Sequence, residues 1–431
     1  MKKNRLILLL VVFALNFQNI IAINELQIRS GLTGVSKRIS QSKNINIGFI
    51  GGSITQAENG WRSRTMSWFR QTYPVVKFRE VNAAIGGTNS KYGAYRIKNH
   101  LLDSARFDLI FVEFSVNDLT LTKTDTLDCY RSMEGVIRKI KKQQPHADIC
   151  LVYTISEPAF EAVKQDRYSL PTSIHERLAT YYNIPSVFFG LEVLNAVNKG
   201  NVVFQDKISD AATEMNSNRK FVFAKDGVHP GNYGHGLYEK VMKRSLPILL
   251  KQTNLPKQKT PKAFVATNYE QAKLYPPILK NQHGMTLLNS QQLPDSMQFM
   301  EPFLKNNKQF IFASESSQYY AFAFRGNEIG ISCLYGFPTG KVIIEVDGIP
   351  HEYSAFDRFC VFNRINFVFH SCENGWHKVK IYPAKPLSYD DKKNIICESG
   401  FKDNPLYAKN YLIISEILVN GKLKISTNHT L

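Results

Sequence analysis

Hydrophobic and polar residues follow a regular plan along the first half of the chain. Five short runs are predicted to be strands, and segments between them show the helical spacing of apolar residues, as in "RSRTMSWFRQTY" and "CYRSMEGVIRKIKKQQ". The five runs are "GFI", "VKFREVN", "FDLIFVEF", "DICLVYTIS" and "IPSVFF". Strands that alternate with helices predict a parallel sheet with helices on both faces. We therefore expect a three-layer α/β/α domain over residues 23–252.

The pattern changes at about Pro276. Beyond this residue, apolar and polar positions alternate with the two-residue period of half-buried strands, and helical spacing is sparse. The pairs Asp347-Gly348 and Asn420-Gly421 are strong hairpin signals. An antiparallel β-sandwich of jelly-roll type is therefore expected over residues 276–431. Residues 253–275, which are polar at first and punctuated by proline, are expected to form a linker.

The first 22 residues have the pattern of a secretory signal peptide. Lys2, Lys3 and Arg5 precede an apolar run from Leu6 to Leu15, and cleavage is expected after Ala22. A membrane anchor is the weaker interpretation, because the run is short and is interrupted at Asn16. The sequence thus predicts an exported protein without stable membrane insertion.

The composition fits two folded domains and adds a strong positive charge. The chain has 431 residues, of which 43% are hydrophobic and 12% aromatic, and its formal net charge is +18. The basic runs lack the motifs of a nucleic-acid reader, so no nucleic-acid partner is expected. An anionic polysaccharide or membrane surface is the more reasonable attraction, and composition does not choose between them.

Six cysteines divide unevenly between the two halves. Cys129 and Cys150 lie in the first domain, where burial as free thiols is expected. The other four are Cys333, Cys360, Cys372 and Cys397. Export permits disulfides among these four, but they allow three pairings and the sequence selects none.

Ser53 is the first candidate for chemistry. It follows the apolar run Ile45–Ile50 and the pair Gly51-Gly52, a strand-to-turn position that exposes a side chain at the edge of a sheet. Far downstream, Asp226 and His229 lie three residues apart in "KDGVHPGNYGH". A serine nucleophile needs a base, and the base needs an orienting carboxylate. The sequence therefore contains all three parts of a catalytic triad.

Two further segments offer the hydrogen-bond donors that acyl transfer requires. The turn in "NAAIGGTNS" exposes backbone N–H groups at Gly86-Gly87, and the strand "LIFVEF" leads to Asn117. Backbone N–H groups and an asparagine amide are suitable donors for an oxyanion.

These segments, in this order, resemble the SGNH (GDSL-type) hydrolases, a family of esterases and lipases. The family's first block corresponds to "GGSIT" with Ser53, the second to "NAAIGGTNS" with Gly87, the third to "SVND" with Asn117 and the fifth to "DGVHP" with Asp226 and His229. The resemblance covers about Ile45 to Leu250. It implies an oxyanion hole built from the N–H groups of Ser53 and Gly87 and the Asn117 side chain. Two positions depart from the family pattern, with Gly52 in place of Asp and Ser115 in place of Gly.

Each candidate also has a structural interpretation. Ser53 and the Asn117-Asp118 pair could cap helices, and Asp226 could form a turn before Gly227. His235 is expected at the start of a helix in a structural role, whereas His100, His146 and His175 occur in charged or loop contexts without a partner pattern. No spacing typical of metal ligands is present, so neither a metal nor another cofactor is expected.

The resemblance and the second domain together imply a carbohydrate esterase, most simply one that removes acetyl groups from a polysaccharide. A lipase is less favoured because no long apolar lid segment occurs near the blocks. Two alternatives remain open: an O-acyltransferase that passes the acyl group to a sugar, and a non-catalytic glycan-binding or cell-surface module. Trp376, Tyr319 and Tyr320 could stack on sugar rings, although at least two of them are expected in the core. The oligomeric state is left open.

Overall fold

The computed structural model describes most of the chain. The described residues are 22–41, 43–252, 259–277, 282–292, 309–396 and 401–424. The predicted signal peptide, apart from Ala22, lies outside them, as do Cys397 and residues 253–258 of the predicted linker.

The contacts of the chain define two compact units. The first contains the described residues up to Asn89, together with Phe107–Tyr130 and His146–Phe264. The second contains Ser90–Arg106, Arg131–Pro145 and the described residues from Val265 onward. This division differs from the predicted ranges, because residues 90–106 and 131–145 group with the C-terminal strands.

The first unit is built on a six-stranded sheet with the order β1-β6-β5-β4-β2-β3. Strands β2 to β6 are parallel, and β1 runs antiparallel to β6. The strands are β1 Leu26–Gln27, β2 Ile45–Gly51, β3 Phe78–Asn82, β4 Leu109–Glu113, β5 Asp148–Tyr153 and β6 Ser186–Phe188, and the pair β7 Val202–Val203 and β8 Phe221–Val222 lies outside this sheet. Each predicted strand of the first half is therefore present.

Helices connect all successive parallel strands. The α-helices of the described residues are α1 Thr33–Ser40, α2 Ser53–Gln56, α3 Trp61–Thr72, α4 Ser90–Ile97, α5 Leu119–Thr122, α6 Thr126–Gln143, α7 Glu157–Lys164, α8 Leu170–Tyr181, α9 Gly190–Asn198, α10 Asn232–Leu250 and α11 Tyr389–Ile396. A π-helical turn, Lys98–Leu102, extends α4, and short 3₁₀ helices occur at Tyr269–Gln271, Ser290–Gln292 and Pro405–Ala408. The prediction of a parallel α/β domain is confirmed. Among the described residues, no helix has both the length and the apolarity needed to cross a membrane.

An aromatic cluster packs α3 against the centre of this sheet. Phe49 on β2 stacks on Phe111 on β4, with ring centroids 5.1 Å apart, and Trp61 meets both rings edge-on. All three side chains are buried. Because both faces of a parallel sheet are covered by helices, its strands form near-continuous apolar runs, and this explains why the pattern identified them.

The second unit contains a nine-stranded antiparallel sheet that curls around its own apolar core. The strands follow the order β11-β12-β17-β13-β16-β14-β15, with β10 paired to β13 and β9 to β17. They are β9 Ala272–Tyr275, β10 Gln282–His283, β11 Thr286–Asn289, β12 Gln309–Ala313, β13 Tyr319–Tyr335, β14 Lys341–Val346, β15 Ile349–Ser354, β16 Arg364–Pro383 and β17 Leu412–Lys424. The prediction of an all-β antiparallel domain is confirmed.

The two hairpin signals have different outcomes. Asp347 and Gly348 connect β14 to β15 with φ values of +53° and +86°, which confirms the predicted turn. Asn420-Gly421 forms no turn and lies inside the continuous strand β17, so this prediction is wrong. A Cβ at position 421 would lie 2.0 Å from the Arg325 carbonyl oxygen. Glycine is needed there because β17 approaches β13 closely, at the point where the register shifts.

Buried polar contacts bind α4 to the sheet of the second unit. The Glu328 carboxylate on β13 is buried and accepts hydrogen bonds from Lys91 Nζ at 2.8 Å and from the Tyr95 hydroxyl at 2.6 Å. The Tyr92 hydroxyl donates to Glu416 on β17 at 2.8 Å. Lys139 of α6 is also buried and donates to the carbonyl oxygens of Ala94 and Ala272. These contacts explain why residues 90–106 and 131–145 belong to the second unit.

The structure agrees with some of the burial predictions for individual cysteine and aromatic residues and disagrees with others. Cys129 and Cys150 are buried thiols, as expected. Of the three aromatic residues considered for sugar stacking, only Tyr320 is buried, whereas Trp376 is 58% exposed and Tyr319 is half-buried. The expectation that at least two of them belong to the core is therefore wrong. Successive side chains of a strand point to opposite sides of the sheet, so Tyr320 points to the core side of β13 and Tyr319 points to the other side.

Candidate active site

Ser53 lies at the carboxyl end of the central strand β2. The strand ends at Gly51, Gly52 adopts an extended conformation, and Ser53 begins the short helix α2. Gly51 is aligned with Glu113 at the end of β4, so the segments after both strands leave the sheet at the same edge. In open α/β sheets, this edge is where ligands bind.

The structure brings Ser53, His229 and Asp226 together. The Ser53 Oγ lies 2.7 Å from His229 Nε2, and His229 Nδ1 lies 2.6 Å from Asp226 Oδ2. With Nδ1 bearing the proton, Nε2 is left as the acceptor for the serine hydroxyl. This is the arrangement in which an imidazole can take a proton from a serine nucleophile.

The loop that carries Asp226 and His229 is fixed at several points. The second oxygen of Asp226, Oδ1, accepts from the backbone N–H groups of Val228 at 2.9 Å and His229 at 2.7 Å. Ala224 and Pro230 form an isolated antiparallel bridge that closes the loop. Gly227 has a φ of +74°, which strains residues with a side chain, and its carbonyl oxygen accepts from the Glu157 N–H at 2.8 Å. These contacts hold both side chains in the triad geometry.

The triad is open to solvent. The side chains of His229 and Asp226 are 52% and 55% exposed. Partial burial raises the pKa of Asp226, but hydrogen bonds from the His229 backbone and ring and from Val228 outweigh this effect and lower the pKa overall. The carboxylate is therefore ionised at neutral pH and holds the imidazole proton at Nδ1.

Asn117 and the Gly86-Gly87 turn lie beside Ser53. The Asn117 side chain packs so closely on Gly52 that a Cβ there would lie 2.5 Å from Asn117 Oδ1, and a Cβ on Gly86 would lie 3.4 Å from the Ser53 Cβ. Gly52, one of the departures from the family pattern, thus leaves room for the Asn117 amide.

The two glycines of the turn differ in their hydrogen bonds. The N–H of Gly86 donates to Gln56 Oε1 at 2.6 Å. Gly87 has a φ of +72° and faces open space, and within the described part of the chain its N–H has no hydrogen-bond acceptor. Of the two glycines, Gly87 is therefore the one that can donate to an oxyanion. Its role in an oxyanion hole with Ser53 and Asn117 stays a prediction.

A buried carboxyl group that was not predicted from the sequence supports α2, the helix that begins with Ser53. Glu113, at the end of β4, accepts hydrogen bonds from the hydroxyls of Thr55 and Thr154, both at 2.8 Å. Burial raises its pKa, although the two hydroxyls oppose that shift. Thr55 lies in α2, two residues after Ser53, so the contacts of Glu113 connect α2 to β4 and to the end of β5. A lone acidic residue within an apolar run was the signal for such a buried contact.

Asp118 contacts a histidine for which the sequence suggested no partner. His175 lies buried in α8, and its Nε2 is 2.8 Å from Asp118 Oδ2. The Cys129 thiol is 3.7 Å from Asp118 Oδ2 and 3.8 Å from His175 Nε2. The expectation of a charged or loop context for His175 is therefore wrong. His175 lies in α8, and the packing of this helix brings its ring into contact with Asp118, the residue after Asn117.

These three residues form the one group in the described chain whose donor atoms are close enough to share a metal ion. Burial raises the pKa of the Cys129 thiol well above its usual range, and the nearby Asp118 carboxylate raises it further. The thiol is therefore protonated and can donate to Asp118. Hydrogen bonds among the three side chains account for their proximity.

His235 has the structural role that the sequence predicted. It lies in the first turn of α10, is buried, and its Nδ1 accepts from the Trp61 backbone N–H at 3.2 Å. Burial lowers its pKa to about 4, and the positive charge of Arg64 contributes to this shift. His235 is therefore neutral at physiological pH, and its ring serves as a hydrogen-bond acceptor for the Trp61 backbone.

Comparison with known proteins agrees with this geometry. Residues 49–237 match the sequence profile of the GDSL-like Lipase/Acylhydrolase family. None of the curated protein sequences matches the chain.

Two crystal structures of one two-domain protein share the fold of both domains. One is the structure of a two-domain esterase (CEX) active on acetylated mannans, co-crystallised with mannopentaose; it has 19% sequence identity and a TM-score of 0.69, and the match covers 94% of this chain and 100% of that chain. The other is a structure of a two-domain esterase (CEX) active on acetylated mannans; it has 19% identity and a TM-score of 0.69, and the match covers 92% of this chain and 99% of that chain. The family match contains Ser53, Gly87, Asn117, Asp226 and His229. The domain that carries these residues belongs to the GDSL-like lipase/acylhydrolase family.

Proposed function

We propose that the protein is a carboxylic ester hydrolase that removes acetyl groups from a polysaccharide through an acyl-serine intermediate. The observation that carries the proposal is the chain of two hydrogen bonds from Ser53 through His229 to Asp226. A serine that only turned the chain or capped a helix would need neither contact. A binding module without catalytic activity would not require these two hydrogen bonds.

The first half of the reaction acylates Ser53. His229 Nε2 accepts the hydroxyl proton while Ser53 Oγ attacks the ester carbonyl carbon, and the carbonyl π electrons move to oxygen. When the tetrahedral intermediate collapses, the bond to the sugar oxygen breaks, and the sugar oxygen takes the proton from His229. The acyl group then remains on Ser53 as an ester.

The second half releases the acid. Water replaces the sugar, gives a proton to His229 Nε2 and attacks the acyl carbon; the bond to Ser53 Oγ then breaks and the serine recovers its proton. In both halves the negative oxygen would accept hydrogen bonds from the N–H groups of Ser53 and Gly87 and from the Asn117 amide. Removing one donor of such a set costs about a hundred- to a thousand-fold in kcat.

Two observations support a carbohydrate ester as the substrate. The exposed His229 and Asp226 side chains leave the triad accessible to an acetyl group on a polymer, whereas a site for long acyl chains would require an apolar tunnel or lid. The two-domain neighbour of the same fold is an esterase described as active on acetylated mannans. The N-terminal pattern of the sequence adds export as part of the proposal, since polysaccharide substrates occur outside the cell.

The proposal is tested by measuring acetate release from acetylated mannan, xylan and pectin by the wild type and two variants. Ser53→Ala removes the nucleophile. Ser63→Ala is the matched control, because Ser63 lies in α3 and its hydroxyl donates to the carbonyl oxygen of Gly60, just before that helix, at 3.0 Å. Release by the wild type and by Ser63→Ala, together with its loss in Ser53→Ala, is the expected result.

A second measurement separates the alternatives. A fluorophosphonate probe should label Ser53 in the wild type and not in Ser53→Ala. Labelling without acetate release from any of the glycans, but with acetyl transfer to an added sugar acceptor, would identify an acyltransferase instead. Absence of labelling in the folded wild type would exclude a serine hydrolase.

A further inference from the structure

The outer side of three neighbouring strands in the second unit carries a dense group of positive charges around one aromatic ring. Side chains that share a side of a sheet alternate along each strand and lie opposite each other on neighbouring strands. By this rule six exposed residues share one side, and we name this set the basic face. Its members are Trp376, Lys378 and Lys380 on β16, Arg325 on β13, and Lys422 and Lys424 on β17.

The register shows how closely these side chains are placed. Arg325 is directly opposite Trp376 on one neighbouring strand and directly opposite Lys422 on the other. In the next row, Ala323 separates Lys378 from Lys424. Neighbouring strands are about 4.8 Å apart, and successive residues on one side of a strand are about 7 Å apart. The charges of the basic face therefore lie within the reach of a single extended ligand.

Within the residues that the structure describes, four of the five cations of the basic face form no salt bridge. Among the described residues, Lys380 is the one cation of the five in a salt bridge, with its Nζ 3.7 Å from the Glu345 carboxylate. The Asp347 carboxylate contacts the His377 ring at 2.7 Å and accepts from the Lys378 backbone N–H at 2.8 Å, so it offsets part of the Lys378 charge. Arg325 and Lys422 form a like-charge pair in direct opposition, which destabilises a sheet. The fold thus maintains a repulsive arrangement that an anionic ligand would relieve.

The exposed ring adds a second kind of contact. Trp376 is 58% exposed, and the Lys424 Nζ lies 5.9 Å from the centre of its ring. An exposed indole can stack on the C–H face of a pyranose ring, since it presents a large apolar surface at little cost in conformational entropy. Lysine and arginine beside it would bind a carboxylate on the same sugar or on its neighbour.

We infer that the basic face binds an acidic polysaccharide, one that carries carboxylate groups such as those of uronic acids. A stacked sugar would rest on Trp376 while carboxylates along the chain contact Arg325, Lys378 and Lys422. The inference rests on the proposed action on carbohydrate and narrows the polymer to an anionic one. An anionic membrane would also attract these charges, but Trp376 is the one apolar side chain among the six members of the basic face, and membrane insertion needs several.

The test measures binding in a protein that cannot hydrolyse esters. In the full chain with Ser53→Ala, calorimetric titration with polygalacturonate at low ionic strength should show binding that weakens as salt is added. The variant Arg325→Glu/Lys378→Glu/Lys422→Glu should lose at least about tenfold in affinity, as expected from reversing three exposed charges. The matched variant Lys393→Glu/Lys402→Glu/Lys409→Glu changes three exposed lysines of the same unit outside the face and should lose less than about twofold.

Each other outcome would overturn the inference. These outcomes are no binding to polygalacturonate, equal losses in both triple variants, equal affinity for neutral mannan, or equal affinity for phosphatidylglycerol vesicles. The variant Arg325→Gln/Lys378→Gln/Lys422→Gln tests whether a loss of binding comes from a folding defect. It should also bind polygalacturonate more weakly. Its Tm should be at least that of the wild type, because the cross-strand repulsion between Arg325 and Lys422 is removed. Polygalacturonate carries no acetyl ester, so the result does not depend on whether acetate release by the wild type succeeds.

Discussion

The Ser53 hydroxyl and the His229 imidazole form a 2.7 Å contact although 176 residues separate them along the chain. Ser53 follows the central strand of the parallel sheet, and His229 lies in a loop held by Asp226 and by the bridge between Ala224 and Pro230. The two segments meet at the carboxyl edge of the sheet. The reactivity of Ser53 therefore depends on the contacts that hold this edge together.

Asp226→Asn should retain the fold and lower kcat about ten-thousand-fold, because an amide no longer fixes the imidazole proton at Nδ1. Hydrolysis of a small acetyl ester measures the change. Asp206→Asn is the matched control, since Asp206 is an exposed loop carboxylate that bonds to Asn216. Its activity should stay that of the wild type. A kcat for Asp226→Asn within about tenfold of the wild type would contradict the role of Asp226 as the orienting carboxylate.

Gly87→Ala should lower kcat, and Gly200→Ala should not. The two glycines have φ values of +72° and +84°, and a Cβ at either position would meet no atom within 4 Å. Both substitutions therefore carry the same backbone strain, about 1 kcal/mol of unfolding free energy. Only Gly87 lies beside the nucleophile, so strain there should turn its N–H away from the oxyanion. Thermal unfolding and kcat are measured together, and equal activity in both variants would remove Gly87 from the oxyanion hole.

His175→Phe should lower kcat while changing KM little. The substitution keeps an aromatic ring but removes the Nε2 donor 2.8 Å from Asp118, whose carboxylate is buried next to Asn117. Losing a donor to a buried polar group costs about 1–3 kcal/mol of unfolding free energy, and any shift of the segment moves the Asn117 amide. His175→Gln, which retains an N–H donor, should recover part of kcat. A stable His175→Phe protein with unchanged kcat would show that this contact does not position Asn117.

The unfolding free energy should fall as the pH is lowered from 6.5 to 4, and His235 should account for part of the fall. Burial lowers the pKa of His235 to about 4, so in this window the unfolded chain binds a proton that the folded chain does not. A shift of this size is equivalent to about 3 kcal/mol, and the contribution is fully present above pH 6.5. Denaturant unfolding at pH 7.5, 6, 5 and 4 measures it.

His235→Gln is the comparison for that measurement. The glutamine amide oxygen can still accept from the Trp61 N–H but does not titrate. The variant should therefore lose less stability than the wild type on acidification. Parallel pH profiles for the two proteins would contradict the assignment of the acid sensitivity to His235.

Much of the fold was accessible from the sequence because its signals are local. A strand covered on both faces must be apolar throughout, so β2, β4 and β5 appear as hydrophobic runs. Asp347-Gly348 marks a hairpin because both residues need a positive φ. Asn420-Gly421 carries the same local signal and failed, since the close approach of β17 to β13 demands glycine for another reason.

The residues of the candidate site also divide into those that the sequence identifies and those that only the structure shows. Short spacing and motif order suffice to identify Ser53, Gly87, Asn117, Asp226 and His229 as candidates. The sequence could not show that Glu113 bonds to Thr55, or that His175 reaches Asp118, because each pair joins segments whose proximity depends on how strands and helices pack.

Sequence alone determined the two fold classes and the candidate residues of the triad, since both rest on residue type, periodicity and local order. Tertiary structure alone decided which buried groups hold the site, that residues 90–106 group with the C-terminal strands through Lys91 and Glu328, and that five cations share one side of the sheet. The physical reason is that the side of the sheet on which a residue lies depends on the register between neighbouring strands. A one-residue slip would move Trp376 and the lysines to the opposite side of their strands, and strand pairing is fixed only when the whole core has formed.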